Sequence, residues 1–153
     1  MAELDNLEIL FVAWGFIFHI DLIVHFALRK WAFPVAMLYG RLVYASGLAA
    51  AVVSVLLLLD GKPWYLWLGG FLHLVWSIYG YLVEYVLKVQ WRTPMRWVIG
   101  GPYVLLYLAT IMFYWWPLGT LSRPLWYAYA ALFVASTFLN VTSHKGGEGS
   151  EGR

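Results

Sequence analysis

The sequence predicts an all-α fold: a polytopic membrane protein built as a five-transmembrane-helix bundle with short loops. Three observations predict it. The 153-residue chain is 63% hydrophobic and only 12% charged, whereas soluble domains are about half apolar and a quarter charged. Its apolar residues gather in five stretches, each able to cross a hydrocarbon core about 30 Å thick, which takes about 20 helical residues. Prolines stand where four of those helices should start, at Pro34, Pro63, Pro94 and Pro124, and a missing N–H costs nothing in a first helical turn. The same composition excludes a disordered chain, which needs low hydrophobicity and high net charge.

The first span, 7–28, follows the acidic residues Glu3, Asp5 and Glu8. It lacks the basic start and small-residue cleavage site of a signal peptide, so it is read as retained. The second, 35–59, carries the small residues Ala45, Ser46, Gly47, Ala49, Ala50 and Ala51, which let a neighbouring helix pack closely. The third, 64–89, opens after Pro63. The fourth, 95–116, ends at Pro117 and contains Gly100-Gly101-Pro102. A proline there removes the bond to the Val98 carbonyl, which predicts a kink or break. The fifth, 124–141, is the shortest. Residues 1–141 thus form a single transmembrane domain, and the glycine-rich tail 142–153 is expected to be disordered and cytoplasmic.

Basic residues set the orientation. Arg29, Lys30, Arg41, Lys88, Arg92, Arg96, Lys145 and Arg153 fall on one side, against Lys62 and Arg123 on the other. The N-terminus is therefore expected outside and the C-terminus inside, in a plasma or inner membrane if the source is prokaryotic. Tryptophan agrees: Trp31, Trp91 and Trp97 map to the inner interface, and Trp64, Trp67, Trp115, Trp116 and Trp126 to the outer one. Trp14 and Trp76 lie deep and are assigned to the core. The lipid bilayer is the expected partner, with other membrane subunits or further copies of the chain as possible neighbours. No basic run makes a nucleic-acid footprint.

Ionisable groups inside lipid cost about 2.5–3.5 kcal/mol each on insertion scales, so those that persist face the protein interior and have partners. The first span carries His19, Asp21 and His25, the second Arg41, and the third His73 and Glu84. At 1.5 Å per residue, Asp21, His25, Arg41 and Glu84 all lie about 5–11 Å inward of their helix midpoints. A shared depth lets them meet, with Asp21 and Arg41 the natural ion pair. His73, Ser77, Tyr81, Glu84 and Lys88 recur at helical spacing along one stripe about 80° wide.

The leading functional expectation is a small-ligand or proton site, used for binding or transport, built from Asp21, His25, Arg41 and Glu84. His73, Ser77 and Tyr81 extend it toward the midplane. Two other classes stand beside it. One is an accessory or assembly subunit of a larger membrane complex of respiratory or photosynthetic type. The other is an intramembrane enzyme acting on a lipid or isoprenoid, with Glu84 or Asp21 as general acid or base beside His25. No catalytic set is assigned: cysteine is absent and no Gly-x-Ser-x-Gly elbow occurs. No metal-ligand spacing is present either. His19 and His73 are nearest their helix midpoints, which makes them the candidates for axial ligation of haem or another tetrapyrrole.

In size, span number and tryptophan content the chain resembles the tryptophan-rich sensory (translocator) proteins. Their Trp-x-Pro-Pro and Phe-Gly-Pro-x-Trp elements have no counterpart here. The nearest stretch, Trp31 to Tyr39, shares only scattered residues, so membership is not read from it.

Overall fold

A computed structural model describes residues 4–91, 94 and 96–145 of the chain. Glu3, Arg92, the Lys145 side chain, Arg153 and the tail after Lys145, all used in the sequence reading, lie outside the described residues. Five α-helices, α1 (Asn6–Trp31), α2 (Phe33–Leu59), α3 (Trp64–Tyr81), α4 (Trp97–Leu121) and α5 (Arg123–Lys145), account for most of them. A π-helical turn, Leu82–Val86, extends α3. All five helices are long and apolar enough to cross a membrane.

Their ends follow from local chemistry. The Asp5 carboxylate accepts the N–H groups of Leu7 and Glu8, and Glu8 accepts that of Asp5, a capping box that satisfies three orphan donors. Arg29 and Lys30 occupy the last turn of α1, where cations complement the helix dipole. A single residue, Ala32, separates α1 from α2: its N–H donates to Leu28 and its carbonyl accepts from Ala36. A single residue, Ser122, joins α4 to α5 in the same way, between Leu118 and Trp126. Gly61, at φ +71°, turns the chain from α2 into α3 in the left-handed conformation that glycine adopts without a Cβ penalty.

Three expectations are corrected. Pro117 does not end α4, which continues to Leu121. Proline there deprives the Phe113 carbonyl of its intrahelical donor, and α3 answers by bringing Gly69 against that oxygen, so close that a Cβ would lie 3.0 Å from it. Of the kink or break expected at Gly100-Gly101-Pro102, the break does not occur: Trp97–Leu121 is continuous, with Pro102 in its second turn. Finally, α5 runs past residue 141 to Lys145, and Thr142 and Ser143 turn their hydroxyls onto the carbonyls of Phe138 and Asn140.

Each helix packs against its neighbours in sequence and α5 returns to α1, which closes a five-membered ring. The tightest seam is α2 against α3. A Cβ at Gly70 would collide with the Ala50 carbonyl, one at Gly47 with Ser77, and one at Gly80 with the Tyr44 ring. Of the small residues in α2, Gly47 and Ala50 make this seam while Ala45 and Ala49 stay exposed. Inside the ring, Phe11, Phe18, Trp76, Tyr114 and Tyr129 form an aromatic core. Trp91, one of the tryptophans expected at the inner interface, is buried against the protein and packs on Tyr103, with ring centroids 5.1 Å apart.

Candidate functional site

Hydroxyl groups from neighbouring helices meet most of the polar side chains singled out in the sequence. On α1, Asp21 accepts the Tyr39 hydroxyl of α2 at 2.7 Å. It does not pair with Arg41, because Arg41 is two residues beyond Tyr39 and so about 200° round the helix. Arg41 lies instead on the α3 side, its guanidinium 5.4 Å from the Tyr85 ring centre. The expected Asp21–Arg41 ion pair is therefore replaced by two contacts on opposite flanks of α2. At the other end of the bundle, Lys62 forms ion pairs with Asp5, Glu8 and Asp60.

His73 sits at the centre of the bundle, fully buried. Its Nε2 is 3.2 Å from the Ser46 hydroxyl and its Nδ1 is 3.2 Å from the Tyr114 hydroxyl. Ser46 gives its proton to the Val43 carbonyl at 2.6 Å, so it can only accept from the ring. That fixes the proton on Nε2 and leaves Nδ1 to accept from Tyr114. His19 obeys the same logic: Ser136 donates to Phe133 and lies 3.1 Å from His19 Nε2, which must therefore carry the proton. The bare Nδ1 of His19 is buried without a partner.

A second chain of hydroxyls ends on the π-helical turn. Tyr44 donates to Glu84 at 3.0 Å and lies 2.9 Å from the Tyr103 hydroxyl. Because the Tyr44 proton is committed to the carboxylate, Tyr103 donates to Tyr44. Trp76 stands between this chain and the His73 group, with ring centroids 5.2 Å from Tyr44 and 5.9 Å from His73. The two polar groups are thus separated by a buried indole.

The stripe on α3 divides along its length. His73 and Ser77 are buried against α2, whereas Tyr81 is exposed and stacks on Tyr85 at 5.4 Å. The residue that faces α2 at that level is Gly80, against the Tyr44 ring. Beyond it, the wider π turn carries Glu84 to Tyr44 and Tyr85 to the Met37 carbonyl. The turn closes with the Leu87 N–H on Leu82, the Val89 N–H on Val83, and Lys88 at φ +49°. A left-handed lysine is strained by about 1–2 kcal/mol.

At this end of the bundle, Pro34, Met37, Leu38 and Arg41 of α2 face Glu84, Tyr85 and Lys88 across a groove of about 480 Å³, within the usual range for a small-molecule site. His25 lies beside its floor, near Gly40 and the Tyr85 hydroxyl. The structure thus brings Arg41, Glu84 and Lys88 together with His25 close by, while Asp21 turns to Tyr39 and His73 and Ser77 lie deeper. The tyrosines at 39, 44, 85, 103 and 114 complete these contacts and were not singled out from sequence. Their signal was hydroxyls within apolar spans, facing the ionisable groups from α2, the π turn and α4.

Both ring nitrogens of His73 are engaged by hydroxyls, and so is Nε2 of His19, while Phe18 lies 4.3 Å from the His73 ring and Tyr129 4.5 Å from the His19 ring. Among the described residues, no three His, Asp or Glu side chains gather closely enough to hold a metal ion. Compared with family models, curated proteins and solved structures, the chain finds no match.

Proposed function

We propose that the protein is a multi-pass membrane protein that binds a small amphiphilic ligand, without chemical turnover, in the groove between the start of α2 and the π turn of α3. The observation that carries this reading is the composition of that groove: charged Arg41, Glu84 and Lys88 face apolar Pro34, Met37 and Leu38 in one open furrow. A ligand with a polar head and an apolar body fits such a lining. The bias of basic residues toward this end supports an orientation with the groove at the inner leaflet, the N-terminus outside and the C-terminus inside.

Binding is favoured over passage of protons or solute. The hydroxyl chain at Glu84 and the group around His73 are separated by the buried Trp76 indole. Leu38, which is exposed in the groove, provides the test. Leu38→Trp fills the furrow without touching the core. Native mass spectrometry of protein gently extracted from membranes should find a retained amphiphile on the wild type and its loss in L38W. Equal retention by the two proteins would contradict the reading.

A further inference from the structure

We infer that the polar end of this groove recognises the phosphodiester of an anionic phospholipid; the inference rests on the groove being a ligand site. Two cations and one carboxylate line it, Arg41, Lys88 and Glu84, so its formal charge is net positive. The carboxylate also accepts the Tyr44 hydroxyl from the core side. The cations are placed rather than free. The Arg41 guanidinium rests over the Tyr85 ring, and a stacked guanidinium keeps its in-plane N–H donors for an oxyanion. The left-handed backbone that closes the π turn sets where the Lys88 side chain leaves the chain, and Lys88 lines the groove.

The rest of the lipid has a path. Leu38, Leu42, Ala45 and Ala49 are all exposed and follow one another along the outer face of α2, away from the groove. Residues 38–49 span about 16 Å, close to one leaflet of a hydrocarbon core about 30 Å thick. The alanines leave a shallow track for an acyl chain whose phosphate sits between Arg41 and Lys88. Strain at Lys88 fits the same role, since a left-handed non-glycine residue persists where the surroundings impose it, and glycine would close the turn with less strain.

That last point separates binding from folding. Lys88→Gly removes a groove charge while relieving the backbone, so weaker binding in K88G is not explained by a weaker fold. The full-length chain is placed in nanodiscs of mixed phosphatidylglycerol and phosphatidylcholine, and retained lipids are counted by native mass spectrometry. The wild type should retain phosphatidylglycerol well above its share of the disc. R41Q and K88G should each cut that excess by about tenfold, the effect of one charge-assisted hydrogen bond. Inorganic phosphate at millimolar concentration should not displace the lipid. Equal retention of both lipids, an excess unchanged in R41Q and K88G, or displacement by phosphate alone would overturn the inference. A neutral amphiphile lost in L38W but indifferent to R41Q would reject the phosphate and keep the binding reading. No retained amphiphile of any kind would reject both.

Discussion

Tyr44 donates its hydroxyl to Glu84 at 3.0 Å, so a residue near the middle of α2 holds the π-helical turn that ends α3. The bond is the innermost support of the groove, because the same turn carries Tyr85 and Lys88 into its wall.

Removing that hydroxyl tests the support. Tyr44→Phe keeps the ring against Gly80 and Trp76 but removes the Tyr44 hydroxyl bond to Glu84. Interhelical hydrogen bonds in membrane proteins average about 0.6 kcal/mol and reach about 1.7. A carboxylate acceptor places this one at the upper end, so Y44F should destabilise the fold by about 1–2 kcal/mol. Unfolding in mixed micelles measures it, and Y103F should cost less because Tyr103 reaches Glu84 only through Tyr44.

The α2–α3 seam makes a contrasting prediction about glycine. In an exposed helix Gly→Ala gains about 1 kcal/mol, and Gly101, with nothing within 4 Å of an added Cβ, should follow that rule. Gly70 faces the Ala50 carbonyl, which cannot move without moving α2. G70A should therefore cost about 1–3 kcal/mol through overpacking. Thermal denaturation of the two variants side by side checks the opposite signs.

The His73–Tyr114 contact can be tested by a double-mutant cycle. His73→Leu strands the Tyr114 hydroxyl inside the bundle, at a cost of about 1–3 kcal/mol. Tyr114→Phe removes the stranded group, so the double variant H73L/Y114F should be less destabilised than the sum of the two single variants. Simple additivity would mean that the 3.2 Å contact contributes nothing. In the wild type, a nitrogen-15 spectrum should show the proton on Nε2.

These contacts mark the limit of what the sequence made legible. Length, hydropathy and proline placement located five helices to within a few residues, because crossing length and the missing N–H are local properties. The position of each polar residue along its helix was legible too, since it follows from the helix ends. Rotation was not. Whether Asp21 meets Arg41 or Tyr39 depends on which flank of α2 each side chain leaves, and a 200° difference over two residues separates them. The π turn escaped notice for a related reason: one extra residue in a turn has no compositional signature, yet it redirects Glu84 and Tyr85. Pro117 was read as a stop because its remedy, Gly69 on another helix, is distant in sequence.

At the opposite end, Lys62 bonds Asp5 and lies 3.3 Å from Glu8 and 3.9 Å from Asp60. It ties the first turn of α1 to the α2–α3 connection. The Lys62 hydrogen bond, foremost, holds the Asp5 carboxyl below its ordinary value of 3.8, and the Asp5 hydrogen bond, foremost, holds the Lys62 ammonium above 10.5. A lowered carboxyl stabilises above its unfolded value and loses that contribution as pH falls through the folded one. A raised ammonium stabilises below its unfolded value and loses the contribution as pH rises through the folded one. Amide exchange at Leu7 to Ile9, corrected for intrinsic rates, should thus be flat between about pH 5 and 9 and rise outside the two limits. The rise should be small, since exposed ion pairs contribute little; in K62Q its alkaline limb should be absent and its acid limb reduced, because the Leu7 and Glu8 N–H groups still hold the Asp5 carboxylate.

The binding reading is tested most directly by placing a photo-crosslinking benzoylphenylalanine at Leu38, in the groove, or at Leu48, further along α2. The two side chains are similarly exposed, at 64% and 67%, so bulk lipid meets both equally. After irradiation in native membranes, mass spectrometry should find one dominant phospholipid class on position 38 and the bulk membrane composition on position 48. The same composition at both positions would contradict the account.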